Sequence, residues 1–227
     1  MDQLEQISAL IALSMGLAWA SGINLYATLL MIGLLHHTGN IALPEPLLIA
    51  TDPMVMIAAG FMYCVEFFAD KVPGVDTGWD TLHTFIRIPA GAALAAGAVG
   101  DVTPAVMLAS AIVGGAVTTG THAAKAGSRV MINTSPEPFT NWTASISEDF
   151  LAIAGIWAAL HHPVLFLILL VLFLLLLCWL LPKIWRGIRR VFRFLTGAGN
   201  DEVSGPTVEK LSGDQQTQQI RSTNNPH

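Results

Sequence analysis

Charge is the scarcest property of this sequence. Only 12% of its residues are Asp, Glu, Lys or Arg, whereas soluble globular domains carry about 25%. Hydrophobic residues make up 53% of the chain, and the mean hydropathy is +0.58. This combination excludes an ordinary soluble domain and is typical of an integral membrane protein.

Cysteine is nearly absent as well. The two cysteines, Cys64 and Cys178, both lie inside apolar runs. A disulfide framework is therefore not expected, and neither thiol has the basic neighbours that activate a nucleophilic cysteine. The first residues, MDQLEQ, are acidic, so the basic start of a cleavable signal peptide is missing too.

Long apolar runs dominate what remains. The clearest is VLFLILLVLFLLLLCWLL, which carries no charge from Val164 to Leu181 and is nearly long enough as a helix to cross a hydrocarbon core of about 30 Å. The other apolar segments are 4–20, 23–37, 54–69, 84–99, 104–118, 121–132 and 147–161. We therefore predict an all-α, polytopic membrane domain over residues 1–195, with 164–181 as a peripheral, lipid-facing helix.

Basic residues cluster directly after this run. Five of the eleven Lys and Arg residues stand there, namely Lys183, Arg186, Arg189, Arg190 and Arg193. The positive-inside rule places this end in the cytoplasm. Segment 183–195 is predicted to be an amphipathic juxtamembrane helix whose residues 183–193 bind anionic lipid, and no nucleic-acid partner is expected. The polar residues 196–227 predict a disordered cytoplasmic tail.

Two of the apolar regions are interrupted by small residues. Ser21-Gly22, followed by Asn24, interrupts the first, and Thr119-Gly120 interrupts the second. Each interruption predicts a broken helix or a re-entrant hairpin, which survives at membrane depth only inside protein or beside a wet cavity. WASGIN is matched by VTTGTH, and LPEPLL by SPEPFT, in the same order. This recurrence indicates two related halves, about 4–70 and 84–161, which transporters often carry in inverted orientation.

The few charges are concentrated at helical spacing. The first group lies in EFFADKVPGVDTGWDTLHTFIR and comprises Glu66, Asp70, Lys71, Asp76, Asp80, His83 and Arg87. The second group comprises Lys125, Arg129, Glu148 and Asp149. Residues four apart share a helix face, and a charge inside an apolar helix costs at least a few kcal/mol unless it faces a partner or a cavity. We predict that these side chains converge inside the bundle and line the path of a small polar or ionic solute.

Other interpretations of these charges stay open. Asp76 and Glu148 stand at predicted helix starts, where an acidic side chain complements the helix dipole, and a buried ion-pair network can be purely structural. The carboxylates of Glu66, Asp70, Asp76 and Asp80 have the character of hard-cation ligands, so a divalent cation is an alternative, although no metal-binding motif is present. No other cofactor is expected.

Three classes of function follow from these interpretations. The first is a small transporter or channel. The second is a membrane enzyme acting on lipid-linked phosphate, with Arg87, Lys125 and Arg129 as phosphate clamps. The third is a scaffold without transport, in which every charge is paired. Self-association into a homo-oligomer is compatible with each of the three.

Several stretches also resemble a known family. SGINLY, EFFADKVPGVDTGWDTLHTFIRIPAG and KAGSRVMINTSPEPFTN followed by SISEDFLAIAG are similar to a bacterial inner-membrane family known as a domain of unknown function, DUF4126. The resemblance covers roughly residues 7–180. Its most specific motif reads here as Glu66, Asp70, Lys71, Pro73, Asp76, Asp80, His83, Thr84 and Arg87. The resemblance implies a multi-pass helical protein of the bacterial inner membrane and supplies no substrate, reaction or cofactor.

Overall fold

The structure, a computed structural model, describes residues 3–72, 74–133 and 138–195. It contains α1 (Gln3–His37), a 3-10 helix (Glu45–Thr51), α2 (Pro53–Ala69), α3 (Val75–Ala98), α4 (Pro104–Ile132), α5 (Pro138–His161) and α6 (Pro163–Leu195). No strand occurs in these described ranges, so the all-α prediction is confirmed. The described residues do not include Pro73, residues 134–137, the side chains of Arg190 and Arg193, or the predicted tail 196–227.

Charged side chains are buried and large apolar side chains are exposed, which is the reverse of a soluble protein. Arg87 and Arg129 are the largest fully buried side chains, while Phe85 and Phe139 are each 81% exposed. Helices α1, α4, α5 and α6 are long and apolar enough to cross a membrane, and the 3-10 helix with α2 forms a fifth candidate bent by 63°. Soluble proteins bury such phenylalanines and expose such arginines, so these helices are those of a multi-pass membrane protein.

Helix α1 is broken at Asn24, where the backbone is extended (φ −147°, ψ 102°). The break therefore lies two residues beyond the predicted interruption at Ser21-Gly22, since both of those residues are helical. A straight helix would hold Ser14 and Gly33 about 28 Å apart along its axis. Instead, both are tied to the C-terminal end of α3.

Two sets of contacts make this tie. Ser14 donates a hydrogen bond to the Ala95 carbonyl (2.8 Å). Gly33 packs against Ala50 of the 3-10 helix, and Leu47 of that same 3-10 helix packs against Gly97 at the end of α3. The second half of α1 therefore turns back at Asn24 towards the end of the bundle from which the first half came.

The second predicted interruption, at Thr119-Gly120, is wrong, because α4 runs through it. Helix α4 is continuous from Pro104 to Ile132, so the segments 104–118 and 121–132 form one helix. The Thr119 hydroxyl donates to the Gly115 carbonyl one turn earlier (2.7 Å), which satisfies the side chain within the helix. Gly120 has a packing role instead, because a Cβ there would lie 2.9 Å from Leu177 of α6.

Other helices differ from the predicted segments mainly in extent. Helix α3 begins at Val75 and α5 at Pro138, well before the apolar segments 84–99 and 147–161. Helix α6 continues through Pro182 to Leu195, so the predicted helices 164–181 and 183–195 lie in one element. It packs through Phe166 and Leu170, while half of its leucines with described side chains are exposed.

Small residues hold α1, α3 and α4 together over one half of the bundle. Besides its bond to Ala95, the Ser14 hydroxyl lies 2.7 Å from that of Ser110, and a Cβ on Gly91 would overlap the side chain of Thr118. Such close approach needs glycine, alanine or serine at the crossing. The first half of α1 and α4 run in the same direction, with α3 antiparallel to both. The polar side chains gather in the other half.

Candidate functional site

Seven ionisable side chains meet in that other half, and we call them the charged network. Its members are Glu66, Asp70, Asp80, Arg87, Lys125, Arg129 and Glu148. They come from the end of α2, the first half of α3, the last turns of α4 and the middle of α5. Four are acids and three are bases, so the network carries one excess negative charge when every member is ionised.

Lys125 stands at the centre of the network. Oxygen atoms surround its Nζ atom: Asp70 Oδ2 at 2.9 Å, Glu66 Oε1 and the Ile23 carbonyl at 3.1 Å, Glu148 Oε2 at 3.7 Å and Asp80 Oδ1 at 3.8 Å. The Lys125 side chain is only 3% exposed. This one amine thus joins side chains from α2, α3 and α5 to the backbone of α1.

Arg87 is the second basic member and is fully buried. Its guanidinium forms ion pairs with Glu66 and with Asp80 Oδ1, the latter at 3.1 Å, and lies 3.2 Å from His122 Nδ1. Because a guanidinium only donates, His122 Nδ1 must accept, which assigns the ring hydrogen to Nε2. That nitrogen lies 3.1 Å from the Asp80 carbonyl and 2.8 Å from the Thr84 hydroxyl.

Arg129 closes the network towards α5. Its Nη2 atom pairs with Glu148 Oε2 at 2.6 Å and with Asp70 Oδ2 at 3.5 Å. Its Nη1 atom donates to the carbonyls of Asp70 (3.0 Å) and Asn141 (3.2 Å). Glu148 is 17% exposed, more than any other member of the network. The network is therefore closest to the surrounding medium at Glu148.

The break in α1 is built into this site. Asn24 Oδ1 accepts from the Ala27 N–H (2.9 Å), as an N-cap residue does at the start of a helix. Asn24 Nδ2 donates to Asp149 (2.9 Å), which also accepts from the Tyr63 hydroxyl (3.2 Å). The first half of α1 ends at Ile23, whose carbonyl accepts a hydrogen bond from Lys125 (3.1 Å). Asp149 thus anchors the break and makes no ion pair with a basic residue of the described chain.

Three further residues predicted for the charged set also lie outside the network. Asp76 accepts a hydrogen bond from the backbone N–H of Thr77 (2.6 Å). Both oxygens of its carboxylate also accept from Asn133 Nδ2 (2.8 and 3.0 Å). His83 lies 3.1 Å from the Tyr26 hydroxyl.

Lys71 is the third of these residues. Its amine donates to the Phe67 carbonyl (2.9 Å) and lies over the Phe67 ring. Burial lowers the pKa of Lys71 below the ordinary lysine value, and the nearby carboxylates of Asp149 and Asp70 oppose this shift. Lys71 is therefore a buried cation of the turn after α2, held by backbone and ring contacts.

Five polar atoms of the network have no hydrogen-bond partner among the described residues: Glu66 Oε2, Asp70 Oδ1, Asp80 Oδ2 and the Nε atoms of Arg87 and Arg129. A buried acceptor left without a partner costs about 1–3 kcal/mol. Over residues 3–72, 74–133 and 138–195, no three His, Cys, Asp or Glu side chains are arranged to hold a metal ion. Of the four predicted metal ligands, Asp76 turns to Asn133 and the other three face Lys125 or Arg87.

Some members of the site were not predicted from the sequence. His122 precedes Lys125 by three residues and Arg129 by seven, so one more turn along the predicted Lys125–Arg129 face would have reached it. Asn141 and Tyr63 carry no comparable spacing signal. The Ile23 carbonyl becomes a ligand only through the conformation at Asn24, which no side-chain pattern reports.

An apolar cavity of about 350 Å³ lies elsewhere, between α1, α5 and α6, and Trp19, Gly155, Phe166 and Phe173 are among its lining residues. No network residue lines it.

Comparison with known proteins gives a single family. The model of a family described as "Domain of unknown function (DUF4126)" matches residues 11–183. This range contains Asn24 and the whole charged network. No curated protein and no solved structure matches the chain.

Proposed function

The chain belongs to the DUF4126 family, a domain of unknown function, and we propose its function from the site itself. The protein is a small membrane transporter or channel for a polar or ionic solute, and the charged network is its solute site. The observation that carries this proposal is the burial of seven ionisable side chains inside helices whose outer surface is apolar. Ionisable groups at membrane depth are costly, and they typically mark the paths of ions and substrates.

The unpartnered oxygens favour transport over a scaffold. A network that served only to hold helices together would have its buried polar atoms paired, as is general in protein interiors. Glu66, Asp70 and Asp80 each leave one oxygen without a partner among the described residues, as Arg87 and Arg129 each leave their Nε atom, and the network holds one carboxylate more than its bases neutralise. Both features suit a site that takes up a further positive or hydrogen-bonding group.

The pairing of the basic residues argues against the enzyme alternative. A phosphate clamp needs cationic donors that are free to face the phosphate. Arg87, Lys125 and Arg129 are instead each engaged by at least two carboxylates. The site is therefore better matched to a cationic or polar solute than to an anionic headgroup.

The interrupted helix supports the same proposal. Transporters recurrently place unwound backbone and the ends of half-helices at the solute site. Here the first half of α1 ends with the Ile23 carbonyl directed at the network, and the second half starts at the Asn24 cap. The negative end of a helix dipole at Ile23 adds to the field that favours a cation.

We also propose that the two matched segments are relics of two related halves. WASGIN and VTTGTH cross each other in the bundle, since a Cβ on Gly22 would lie 2.7 Å from the Thr118 carbonyl oxygen and 2.8 Å from Thr121 Cβ. Contact between equivalent segments is expected where two repeats are related by a two-fold axis. The continuity of α4 means that only the first half carries a break.

The proposed orientation follows from α6. A Cβ on Gly187, close to Lys183 and Arg186, would lie 3.8 Å from Met131 at the end of α4, which is the end where Arg129 meets Glu148. If the basic segment faces the cytoplasm of a bacterial cell, the network opens towards that side of the inner membrane. Anionic lipid would bind the same end through the exposed Lys183 and Arg186.

Flux measurements in vesicles test the proposal. Purified wild-type protein and the variants Glu66→Gln and Arg129→Gln would be reconstituted and offered a panel of inorganic ions and small polar solutes. We expect wild-type flux above that of protein-free vesicles, a loss of about tenfold or more in both variants, and no loss for the exposed control Glu5→Gln. Wild-type flux equal to that of empty vesicles, or equal to that of both network variants, would refute transport through this network.

A further inference from the structure

The apolar cavity between α1, α5 and α6 is held open by aromatic side chains. A Cβ on Gly155 would overlap the Trp19 ring, so the indole lies directly against the backbone of α5. The same indole meets Phe166 and Phe173 of α6 edge to face, with ring centroids 6.2 and 6.1 Å apart. Trp19 therefore stands between α5 and α6 and keeps them apart, and the cavity lies beside it.

The chemistry of the cavity wall excludes water as its occupant. The lining residues are apolar, and the indole N–H of Trp19 is the one polar side-chain group among them. A buried water molecule needs about two to four polar partners. An empty space of about 350 Å³ would leave the surrounding side chains without dispersion contacts on one side. An apolar group is therefore the occupant that this wall favours.

The cavity opens to the surface that contacts the lipid bilayer. Leu151 of α5 and Leu169 of α6 both line it, and they are 50% and 51% exposed. Both helices are long and apolar enough to cross a membrane, so the opening is continuous with their lipid-contacting surface. At this depth the surrounding medium consists of acyl chains.

The volume of the cavity suits one such chain. An apolar cavity of about 150 Å³ takes a benzene ring, which has six carbon atoms. By the same ratio, the cavity of about 350 Å³ takes on the order of fourteen carbon atoms, which is most of a common acyl chain.

The position of the cavity along α5 and α6 places it in one leaflet. Ala158 and Phe166 line its near end, and each lies three residues from the end of its helix at the α5–α6 turn, or about 4.5 Å along the axis. Leu151 and Phe173 line its far end, about 15 Å from that turn. The basic segment 183–193 lies at the opposite end of α6.

From these observations we propose that the cavity is a binding site for an acyl chain of a membrane lipid. The headgroup of this lipid lies beside the exposed His161 and His162 of the α5–α6 turn, in the leaflet opposite the basic segment. The chain fills the space that Trp19 keeps open and joins α6 to the rest of the bundle. No member of the charged network lines the cavity, so this site is independent of the proposed transport.

Lipid counting on the purified full-length protein tests the proposal. Delipidated protein in a mild detergent would be titrated with dimyristoyl phosphatidylcholine, and native mass spectrometry would count the bound lipids. Ala158→Phe places a ring in the cavity, so we expect it to bind the first lipid about tenfold or more weakly than wild type. The control Leu176→Phe adds a ring on the exposed face of α6 and should bind as wild type does. Equal affinities of wild type and Ala158→Phe would overturn the proposal.

A second measurement needs no substitution. Phosphatidylcholine with a diazirine in its acyl chain would be added to wild-type protein in detergent at an equimolar ratio and irradiated, and mass spectrometry would locate the labelled residues. We expect labelling of Gly155 and Leu169 to exceed that of Leu175 and Leu176, on the exposed face of α6, by about tenfold. Equal labelling of the two pairs would reject a specific site.

The native mass spectra also report the competing occupant, which is a second copy of this chain. If a second copy fills the cavity, the wild-type protein forms dimers without bound lipid, and Ala158→Phe abolishes them. That result would overturn the proposal as well. Neither result bears on flux through the charged network, which the vesicle measurements test separately.

Discussion

Replacing Arg87 by methionine is expected to destabilise the fold by about 3–5 kcal/mol, the range for removing one partner of a buried ion pair. The structure gives two reasons. Glu66 and Asp80, at 0% and 1% exposure, both lose the guanidinium that pairs with them. The excess negative charge of the network also rises from one to two, in surroundings where water does not compensate. The packing loss is small, because methionine fills much of the arginine stem.

Equilibrium unfolding in mixed micelles of SDS and a mild detergent, followed by tryptophan fluorescence, measures this effect. The double variant Arg87→Met/Glu66→Gln restores the original excess of one charge, so we expect it to be more stable than the sum of the two single effects, with a coupling of about 0.5–3 kcal/mol. Arg186→Met, an exposed arginine, should stay within about 0.5 kcal/mol of wild type. An Arg87→Met protein as stable as Arg186→Met would show that these side chains do not meet in the core.

The same titration tests two further features of α1. Gly22→Ala should destabilise the protein by about 1–3 kcal/mol, because the new Cβ would lie 2.7 Å from the backbone oxygen of Thr118. The control Gly78→Ala, whose Cβ would meet nothing within 4 Å, should be neutral or stabilising by up to about 1 kcal/mol. Equal unfolding midpoints for the two variants would disprove the close crossing. Asn24→Ala should lose about 1–2 kcal/mol through the missing cap and the bond to Asp149, and an unchanged midpoint would show that Asn24 does not hold the break.

Much of the charged network was predictable from helix geometry. Lys125 and Arg129 lie one turn apart, and their convergence with Glu66, Asp70, Arg87 and Glu148 follows from the cost of leaving charges in apolar helices. The position of Asp149 was harder to predict. It follows Glu148 by one residue, about 100° further around α5, so it faces Asn24 while Glu148 faces Arg129. Asp80, which lies seven residues before Arg87 on the same face of α3, pairs with that arginine in the network, whereas Asp149 does not join the network.

The helix breaks show where sequence patterns stop being informative. SGIN and TGTH have similar small and polar residues, yet only the first region breaks. The outcome depends on tertiary contacts, because Asn24 finds Asp149 on another helix and Lys125 takes up the freed Ile23 carbonyl. Gly22 and Gly120 serve instead as contact points for neighbouring helices, a role that a local reading of glycine as a breaker does not reveal.

The reversal of α1 at Asn24 also sets the direction of everything after it. The first half of α1, α4 and α6 all point the same way, since Phe166 near the start of α6 packs by Gly16 while Gly187 packs by Met131. Gln3 and Gly187 therefore lie at opposite ends of the helical bundle. If α1 were a straight helix, each later helix would run in the opposite direction relative to it, and Gln3 and Gly187 would lie at the same end. One extended residue thus decides whether the start of α1 and the basic part of α6 lie at opposite ends of the bundle or at the same end.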